Sequence, residues 1–178
     1  MSETLEERVA RLEAVEAIAN LKNTYHSYVN DTAFDKVPDL FAEDAYVHLG
    51  YLMPGGRPWT GREQIRAAFS SMKSTSLQSQ VKQFPHAHVV EITGDGTASG
   101  TSQLLALYGV GEDSYVVAGK YEETYIRDGH RWLIKSMRLR LHFSVPLAAG
   151  WAGVKRHYLV NSGEQIPDYP DLAPNPPL

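Results

Sequence analysis

The sequence predicts an α+β domain in which helices pack against an antiparallel sheet. Helical periodicity dominates the first part of the chain, and four long strand-like segments joined by short turns fill the second. Helices followed by strands are typical of α+β proteins. The 178 residues, 43% hydrophobic and 21% charged, are sufficient for one domain with a substantial core.

The first element is a long amphipathic helix. Its apolar residues recur at steps of three and four, at Leu5, Val9, Leu12, Val15, Ile18, Leu21, Tyr25 and Tyr28. The turn-forming residues Asn30-Asp31-Thr32 predict its end. We expect this helix to lie across the sheet; a coiled-coil arm formed by its N-terminal part is the alternative.

Three shorter elements follow. A short helix is predicted over Asp35–Phe41, and Ala45–Tyr51 has the composition of a strand. Thr60 and Glu63 have the spacing of a capping box, in which each side chain bonds the other residue's backbone amide. The helix that begins there is predicted to run to about Lys73.

Four strands are predicted in the second half of the chain, with tight turns at Gly94-Asp95-Gly96 and Asp128-Gly129. They are His86–Thr93, Thr97–Tyr108, Ser114–Arg127 and Arg131–Phe143. Residues 1–160 are therefore predicted to form a single domain. The Pro-rich residues 161–178 are predicted to form an extended or loosely ordered tail.

Composition excludes several classes of function. The net charge of −4 and the scattered basic residues argue against a nucleic-acid partner. The chain has no cysteine, and its charged N-terminus is unlike a signal peptide. No apolar run is long enough to span a membrane. The histidines have no supporting carboxylates at ligand spacing, so no metal site is predicted. We expect a cytoplasmic protein.

Strict alternation along the last strand separates its side chains into two faces. Arg138, Arg140 and His142 share one face, and the apolar residues between them share the other. The polar face either reaches a pocket or forms an interface between subunits. Lys120, which shares a face with Glu122, is a weaker candidate of the same kind.

Several motifs in this order resemble the SnoaL-like branch of the nuclear transport factor 2-like superfamily. They are Tyr25-His-Ser-Tyr-Val-Asn-Asp31, Phe34-Asp35, Leu40-Phe-Ala-Glu-Asp-Ala45, Thr60-Gly-Arg-Glu63, Gly94-Asp-Gly-Thr-Ala98, Gly119-Lys-Tyr-Glu-Glu-Thr-Tyr125 and Arg127-Asp-Gly-His-Arg-Trp132. The resemblance implies a cone-shaped sheet wrapped around the N-terminal helices, with the pocket inside. It also implies chemistry without metal or organic cofactor, and a homo-oligomer, with a trimer favoured and a dimer possible.

The resemblance to the dehydratase and dehydrochlorinase members of this branch also implies a catalytic set. Their histidine base corresponds by position to His86, although His88 is an alternative. Their acid falls on Asn30, with Asp31 one place later, and asparagine cannot stabilise imidazolium as a carboxylate does. Tyr25 corresponds to a tyrosine that would donate to a leaving hydroxyl or an enolate. Arg138 would be the electrostatic anchor.

Other residues are predicted to contact the substrate. Tyr28 lies near Tyr25 on the first helix, and Tyr46 and His48 share one face of the first strand. The aromatic residues Trp59, Phe84 and Trp151 would supply apolar walls. His88, Lys120, Arg140 and His142 complete the set.

The predicted function is a lyase that acts without a cofactor on a small hydrophobic molecule, aromatic or polycyclic. Histidine-based acid–base elimination would remove water, or release a small carbonyl by retro-aldol cleavage. An isomerase, an epoxide hydrolase with an Asp/Arg/Asp group, and a ligand-binding protein without chemistry are the alternatives.

Overall fold

The helices precede the sheet, as predicted. The structure is a computed structural model that describes residues 3–49, 57–73, 81–110 and 113–150. Its helices are α1 (Leu5–Asn30) and α2 (Arg62–Lys73), and 3₁₀ turns span Val37–Leu40 and Leu147–Ala149. Its strands are β1 (Phe41–His48), β2 (Trp59–Thr60), β3 (Lys82–Gly94), β4 (Thr97–Val110), β5 (Asp113–Asp128) and β6 (Arg131–Pro146).

The six strands form one curved, unclosed sheet in the order β2-β1-β6-β5-β4-β3. Strands β3 to β6 form the predicted antiparallel meander. Strand β1 runs parallel to β6, so the sheet is mixed rather than purely antiparallel. The predicted α+β class is confirmed, with this one parallel pair as a correction.

Helix α1 crosses the sheet with its C-terminal half only. A capping box of Thr4 and Glu7 begins the helix. The residues that α1 buries all lie from Ile18 onwards: Ile18, Lys22, Tyr25, His26 and Val29. Leu5, Val9 and Leu12 are exposed. The expectation of a helix across the sheet holds for the second half, and the coiled-coil alternative for the first half stays open.

The second predicted helix is a single 3₁₀ turn, Val37–Leu40, with Pro38 in its first turn. Proline is tolerated there because the first amides of a helix have no partner within it. Strand β1 begins at Phe41, four residues earlier than predicted, because this turn ends so soon.

At the start of α2, the Thr60 amide is bonded by a side chain other than that of Glu63, which the capping box predicted. The Thr60 amide donates to Gln64 Oε1 at 2.9 Å, and Glu63 forms an ion pair with Arg66 instead. The predicted start and end of the helix are nevertheless close to those observed.

Strand β3 contains a bulge that reverses which residues face the helix. Ala87 has φ +51°, rare for a residue with a side chain, and the pairing with β4 shifts register between His86 and Val89. Gln83 faces α1 before the bulge, and His88 does so after it. Regular alternation along a strand would place His86 and His88 on the same face, and the bulge instead places them on opposite faces.

None of the described helices has the length and hydrophobicity needed to cross a membrane. Residues 151–178 lie outside the described ranges, and with them the predicted tail at 161–178. The division into a domain at 1–160 and a tail stays a prediction.

Candidate active site

A cavity of about 130 Å³ lies between α1, α2 and the inner face of the sheet. Its described walls are mostly aliphatic and aromatic. The lining residues are Tyr25, Val29, Phe34, Leu49, Phe69, Met72, Val81, Gln83, Leu104, Ala106, Tyr108, Val117, Tyr121 and Leu139. An apolar enclosure with a few convergent polar groups is typical of a small-molecule site.

Tyr25, Gln83 and Tyr121 form a polar end of this cavity. Tyr121 shares one hydrogen bond with Tyr25 and another with Gln83. The bond between the tyrosines raises the pKa of Tyr121 and lowers that of Tyr25, as expected when Tyr121 is the donor. Burial is the largest effect on both phenols and raises both pKa values, so both remain protonated at neutral pH.

His26 is packed against both tyrosines. Its ring centroid lies 5.1 Å from that of Tyr25 and 5.8 Å from that of Tyr121, both edge-on. Its Nδ1 lies 2.7 Å from Gln83 Oε1. An amide oxygen can only accept, so Nδ1 carries the proton and Nε2 of the neutral ring has a lone pair. Nε2 is buried and has no hydrogen-bond partner among the described residues.

The imidazole of His26 is neutral at physiological pH. Burial is the main cause that lowers its pKa, to about 3, and the positive charge of Lys22 acts in the same direction. The hydrogen bond to Gln83 opposes this shift, and His88 adds a small lowering effect. The result is a weak base whose unshared lone pair is buried in the core.

Behind the tyrosines lies a buried ion pair between Lys22 of α1 and Glu123 of β5. The Tyr125 hydroxyl donates to Glu123 Oε2 at 2.9 Å, and His88 Nε2 lies 3.2 Å from that hydroxyl. Burial lowers the pKa of Lys22, and Glu123 acts against this shift. This group of charged and polar side chains is in the core, away from the exposed surface of the sheet.

Asn30 fixes the C-terminal end of α1 to β3. Its Nδ2 donates to the Gln83 carbonyl at 2.8 Å, and its Oδ1 accepts from the Gln83 amide at 2.6 Å. The Asn30 side chain therefore makes the pair of hydrogen bonds with the Gln83 backbone that an adjacent strand would make. The β3 residue that reaches the cavity beside Asn30 is Gln83, and not His86, to which the family resemblance assigned the base.

The predicted dyad of a strand histidine and a helix-end acid is not assembled. The His86 side chain is exposed, and its Nδ1 lies 3.2 Å from the Phe84 carbonyl. Asp31 is exposed and accepts from Ser27 Oγ at 3.2 Å. Of the predicted catalytic residues, only Tyr25 lines the cavity, while His88 contacts the ion pair through Tyr125.

The polar residues predicted from β1, β5 and β6 share the outer face of the sheet. Tyr46 and Arg138 border a shallow depression there with Thr124 and Ser136. Arg140 forms an ion pair with Glu122 at 2.8 Å. His48, Lys120 and His142 are also absent from the cavity lining, and His48 pairs in register with Arg138. The Asp/Arg/Asp group required by the epoxide hydrolase alternative is not present in the described lining.

The predicted aromatic walls are only partly present. Trp59 packs edge-on against Phe69, which lines the cavity, with ring centroids 5.9 Å apart. Tyr28 is half-buried, and Lys36 Nζ lies 5.6 Å from the centroid of its ring. Phe84 is exposed on the outer face, which corrects the expectation for it. Trp151 lies outside the described residues.

Within the described ranges, no group of three or more His, Asp and Glu side chains has the arrangement of a metal site.

A family model described as the SnoaL-like domain matches residues 10–138. No curated protein sequence matches the chain significantly.

Several solved structures are similar to the fold described above. A putative scytalone dehydratase from Novosphingobium aromaticivorans has a TM-score of 0.67 at 18% identity, over 76% of this chain and 88% of that one. The hexachlorocyclohexane dehydrochlorinase LinA-type3 from Novosphingobium barchaimii has a TM-score of 0.70 at 18% identity, over 80% and 96%. A putative aromatic ring hydroxylase from Novosphingobium aromaticivorans has a TM-score of 0.66 at 22% identity, over 78% and 96%. At these identities the similarity concerns the fold.

Replacing Asn30→Asp should destabilise the protein by about 1–3 kcal/mol, because a carboxylate cannot donate to the Gln83 carbonyl. Urea unfolding at neutral pH measures the change. Asp31→Asn, the reverse substitution at the adjacent exposed position, is the control and should have little effect. An Asn30→Asp protein as stable as the wild type would show that the two bonds do not hold the helix to the strand.

His26 should make the protein less stable in acid. Its folded pKa, about 3, is below the unfolded value of about 6.5, so the unfolded chain binds the proton first. The stability that depends on neutral His26 is complete above about pH 6.5. It is lost at about 1.4 kcal/mol per pH unit as the pH falls from there towards 3.

Urea unfolding of His26→Gln across this range should therefore show a shallower loss than the wild type. His130→Gln, at an exposed hairpin turn, is the control and should retain the wild-type slope. Equal slopes in wild type and His26→Gln would mean that His26 is not held neutral by the fold.

Proposed function

We propose that this chain, which belongs to the SnoaL-like family, is an acid–base lyase for a small uncharged ring molecule. The observation that carries this proposal is the cavity with Tyr25, Gln83 and Tyr121 at one end and His26 packed behind them. A related isomerase would use the same groups. That no cofactor takes part and that the protein is cytoplasmic stay predictions.

The size and lining of the cavity favour a molecule of about one ring. An apolar cavity of about 150 Å³ holds benzene, and the present volume is about 130 Å³. No charged side chain is among the described lining residues, which disfavours an ionised ligand. The polar end suits a carbonyl or hydroxyl oxygen. A polycyclic substrate, also predicted from the sequence, fits this volume less well.

Tyr25 would act as the hydrogen-bond donor to the substrate oxygen. Tyr121 donates its one O–H to Tyr25, which leaves the Tyr25 O–H as the donor for a ligand. Such chains of hydrogen bonds polarise one another in a medium of low dielectric constant. A donor directed at an oxygen that gains negative charge during reaction lowers the barrier to an enolate.

His26 packs behind Tyr25 and Tyr121 and is not among the described lining residues, so it would have to turn Nε2 into the cavity to accept the proton from carbon. For a β-hydroxy ketone, the proton next to the carbonyl moves to Nε2, and electrons form an enolate held by Tyr25. The carbon–oxygen bond to the hydroxyl group then breaks. The departing hydroxide takes the proton from His26, which gives an enone and water. A base of low pKa can serve when the oxyanion is strongly stabilised, as in ketosteroid isomerase.

The names of two similar structures support elimination chemistry. One is described as a putative scytalone dehydratase and the other as a dehydrochlorinase. An opposing observation favours a second candidate function, ligand binding without chemistry. The resemblance implied an acid at the position of Asn30, but Asn30 is engaged with the backbone of Gln83, and His86, which it implied as the base, is exposed.

The test uses 3-hydroxycyclohexanone, a single ring whose dehydration gives an absorbing enone. The wild type should form the enone, and Tyr25→Phe should lower kcat about 100-fold to 1000-fold because a directed oxyanion donor is lost. Tyr28→Phe, three residues along the same helix and outside the cavity lining, is the matched control. Tyr25-dependent binding of the enone without turnover by the wild type would support the ligand-binding candidate instead.

The identity of the base is tested in the same assay. His26→Gln should lower kcat at least about 100-fold, whereas exposed His86→Gln should not change it. The rate should stay constant down to about pH 4, since the pKa of His26 is about 3. A rate that falls below about pH 6.5 and is lost in His86→Gln would restore the strand histidine as the base.

We also propose that the outer face of the sheet joins copies of the chain in a homo-oligomer, a trimer ahead of a dimer. Four exposed apolar side chains lie on β3 and β4: Phe84, Val89, Leu105 and Leu107. Contiguous exposed apolar residues are typical of interaction surfaces. The polar side chains Arg138 and Arg140 continue this face on β6.

Light scattering should show an oligomer for the wild type and a monomer for the double variant Leu105→Glu/Leu107→Glu, because charged groups would be buried in the contact. Leu5→Glu/Leu12→Glu on the exposed part of α1 is the control. If that control dissociates the oligomer and the sheet variant does not, the contact is made by α1.

A further inference from the structure

The ion pair of Lys22 and Glu123 is almost completely withdrawn from water. The exposed fractions of the two side chains are 1% and 0%. Removing two charges from water is costly, and apolar replacement of such pairs is often neutral or stabilising. Stability alone therefore gives no reason for a charged pair at this place in the core.

The ammonium group of Lys22 lies against the rings that form the polar end of the cavity. Its Nζ is 3.7 Å from the ring centroid of Tyr121 and 5.2 Å from that of Tyr25. An ammonium at this distance from a ring face is attracted to the π electrons, more strongly when both groups are desolvated. The contact restricts the Tyr121 ring and, through the bond between the phenols, the Tyr25 hydroxyl.

Glu123 is held from both sides. One carboxylate oxygen accepts from Lys22, and the other accepts from the Tyr125 hydroxyl. His88 Nε2 lies 3.2 Å from the oxygen of that hydroxyl. Gly100 provides the space that the side chains of Tyr125 and His88 occupy. A Cβ there would lie 3.0 Å from Tyr125 Cε2 and 3.2 Å from His88 Nε2.

We propose that Lys22 and Glu123 are positioning residues that hold the Tyr121 ring in place and, through its bond to Tyr25, keep the Tyr25 hydroxyl as the donor to the bound molecule. This inference rests on the proposed function of the cavity and adds to it the groups that orient its donor. Neither residue is among the described lining, so their action passes through the tyrosines.

The electrostatic effect has a definite direction. The negative charge of Glu123 raises the pKa of both phenols, in addition to the larger effect of burial. The titratable groups that face the pair are Tyr25 and His26 from α1, His88 from β3, and Tyr121 and Tyr125 from β5. Removing Glu123 alone would make the phenols easier to ionise, but removing Lys22 acts in the opposite direction, because its ammonium lies against the same rings. Removing the pair should therefore loosen the Tyr121 ring.

The test removes both charges together in Lys22→Met/Glu123→Gln, which keeps an acceptor for the Tyr125 hydroxyl. The matched control removes the exposed ion pair of Lys135 and Asp44 in Lys135→Met/Asp44→Asn. Unfolding by urea establishes that each double variant is folded. NMR of tyrosine labelled at ring Cε, assigned with Tyr25→Phe and Tyr121→Phe, follows the rate at which each ring flips.

We expect the Tyr121 ring to flip at least about tenfold faster in the core double variant and at the wild-type rate in the control. With 3-hydroxycyclohexanone, kcat should fall about tenfold while KM stays within about twofold, because positioning acts on the reacting state. A folded core variant with wild-type ring flipping and wild-type kcat would overturn the proposal.

Ring flipping does not depend on turnover, so failure of the proposed function and failure of this inference remain distinguishable. If the core variant does not fold, a measurement on the wild-type protein tests the proposal instead. At neutral pH the Nζ resonance of Lys22 must be that of an ammonium, and a neutral amine there would overturn the proposal.

Discussion

The contact between the end of α1 and the start of β3 at Gln83 determines the position of the whole site. The backbone of Gln83 is held by Asn30, and its side-chain oxygen accepts from His26. The same side chain bonds Tyr121 from the opposite side of the cavity. One residue thus joins helix, edge strand and central strand, and its displacement would separate the imidazole from the phenols.

The site is unusual in placing so much polarity in the core. Lys22, His26 and Glu123 are all buried, and each has at least one partner in the network. The hydrogen bonds of a buried polar network strengthen one another when every polar group has a partner. The loss of one bond is costly because it leaves a buried polar group without a partner. The described structure leaves His26 Nε2, like Ser102 Oγ on β4, buried without a hydrogen-bond partner, and Nε2 is the atom to which the proposed mechanism assigns the proton.

Simple periodicity predicted the elements but only part of the site. Alternation on β6 was correct from Met137 to Leu141, because that stretch is regular and one face is buried. On β3 the bulge at Ala87 changed the face between His86 and His88, and no local pattern marked it. Lys22, His26, Tyr121 and Glu123 were missed, although Tyr121, Glu123 and Tyr125 alternate with the exposed side chains of β5. A charged residue on a buried face was the available signal.

The exposure of His86 leaves Gln83 as the β3 residue that reaches the cavity, and this changes which element can supply a base. Glutamine cannot take a proton at any ordinary pH, but its oxygen fixes the protonated nitrogen of His26 and so leaves the lone pair on the other, buried nitrogen. The proposed base then comes from α1, one residue after Tyr25, the proposed donor to the substrate. Base and donor therefore move together with one helix, and the Asn30 contact that anchors this helix controls both. A substitution that loosens Asn30 should for this reason affect proton removal and oxyanion binding to the same degree.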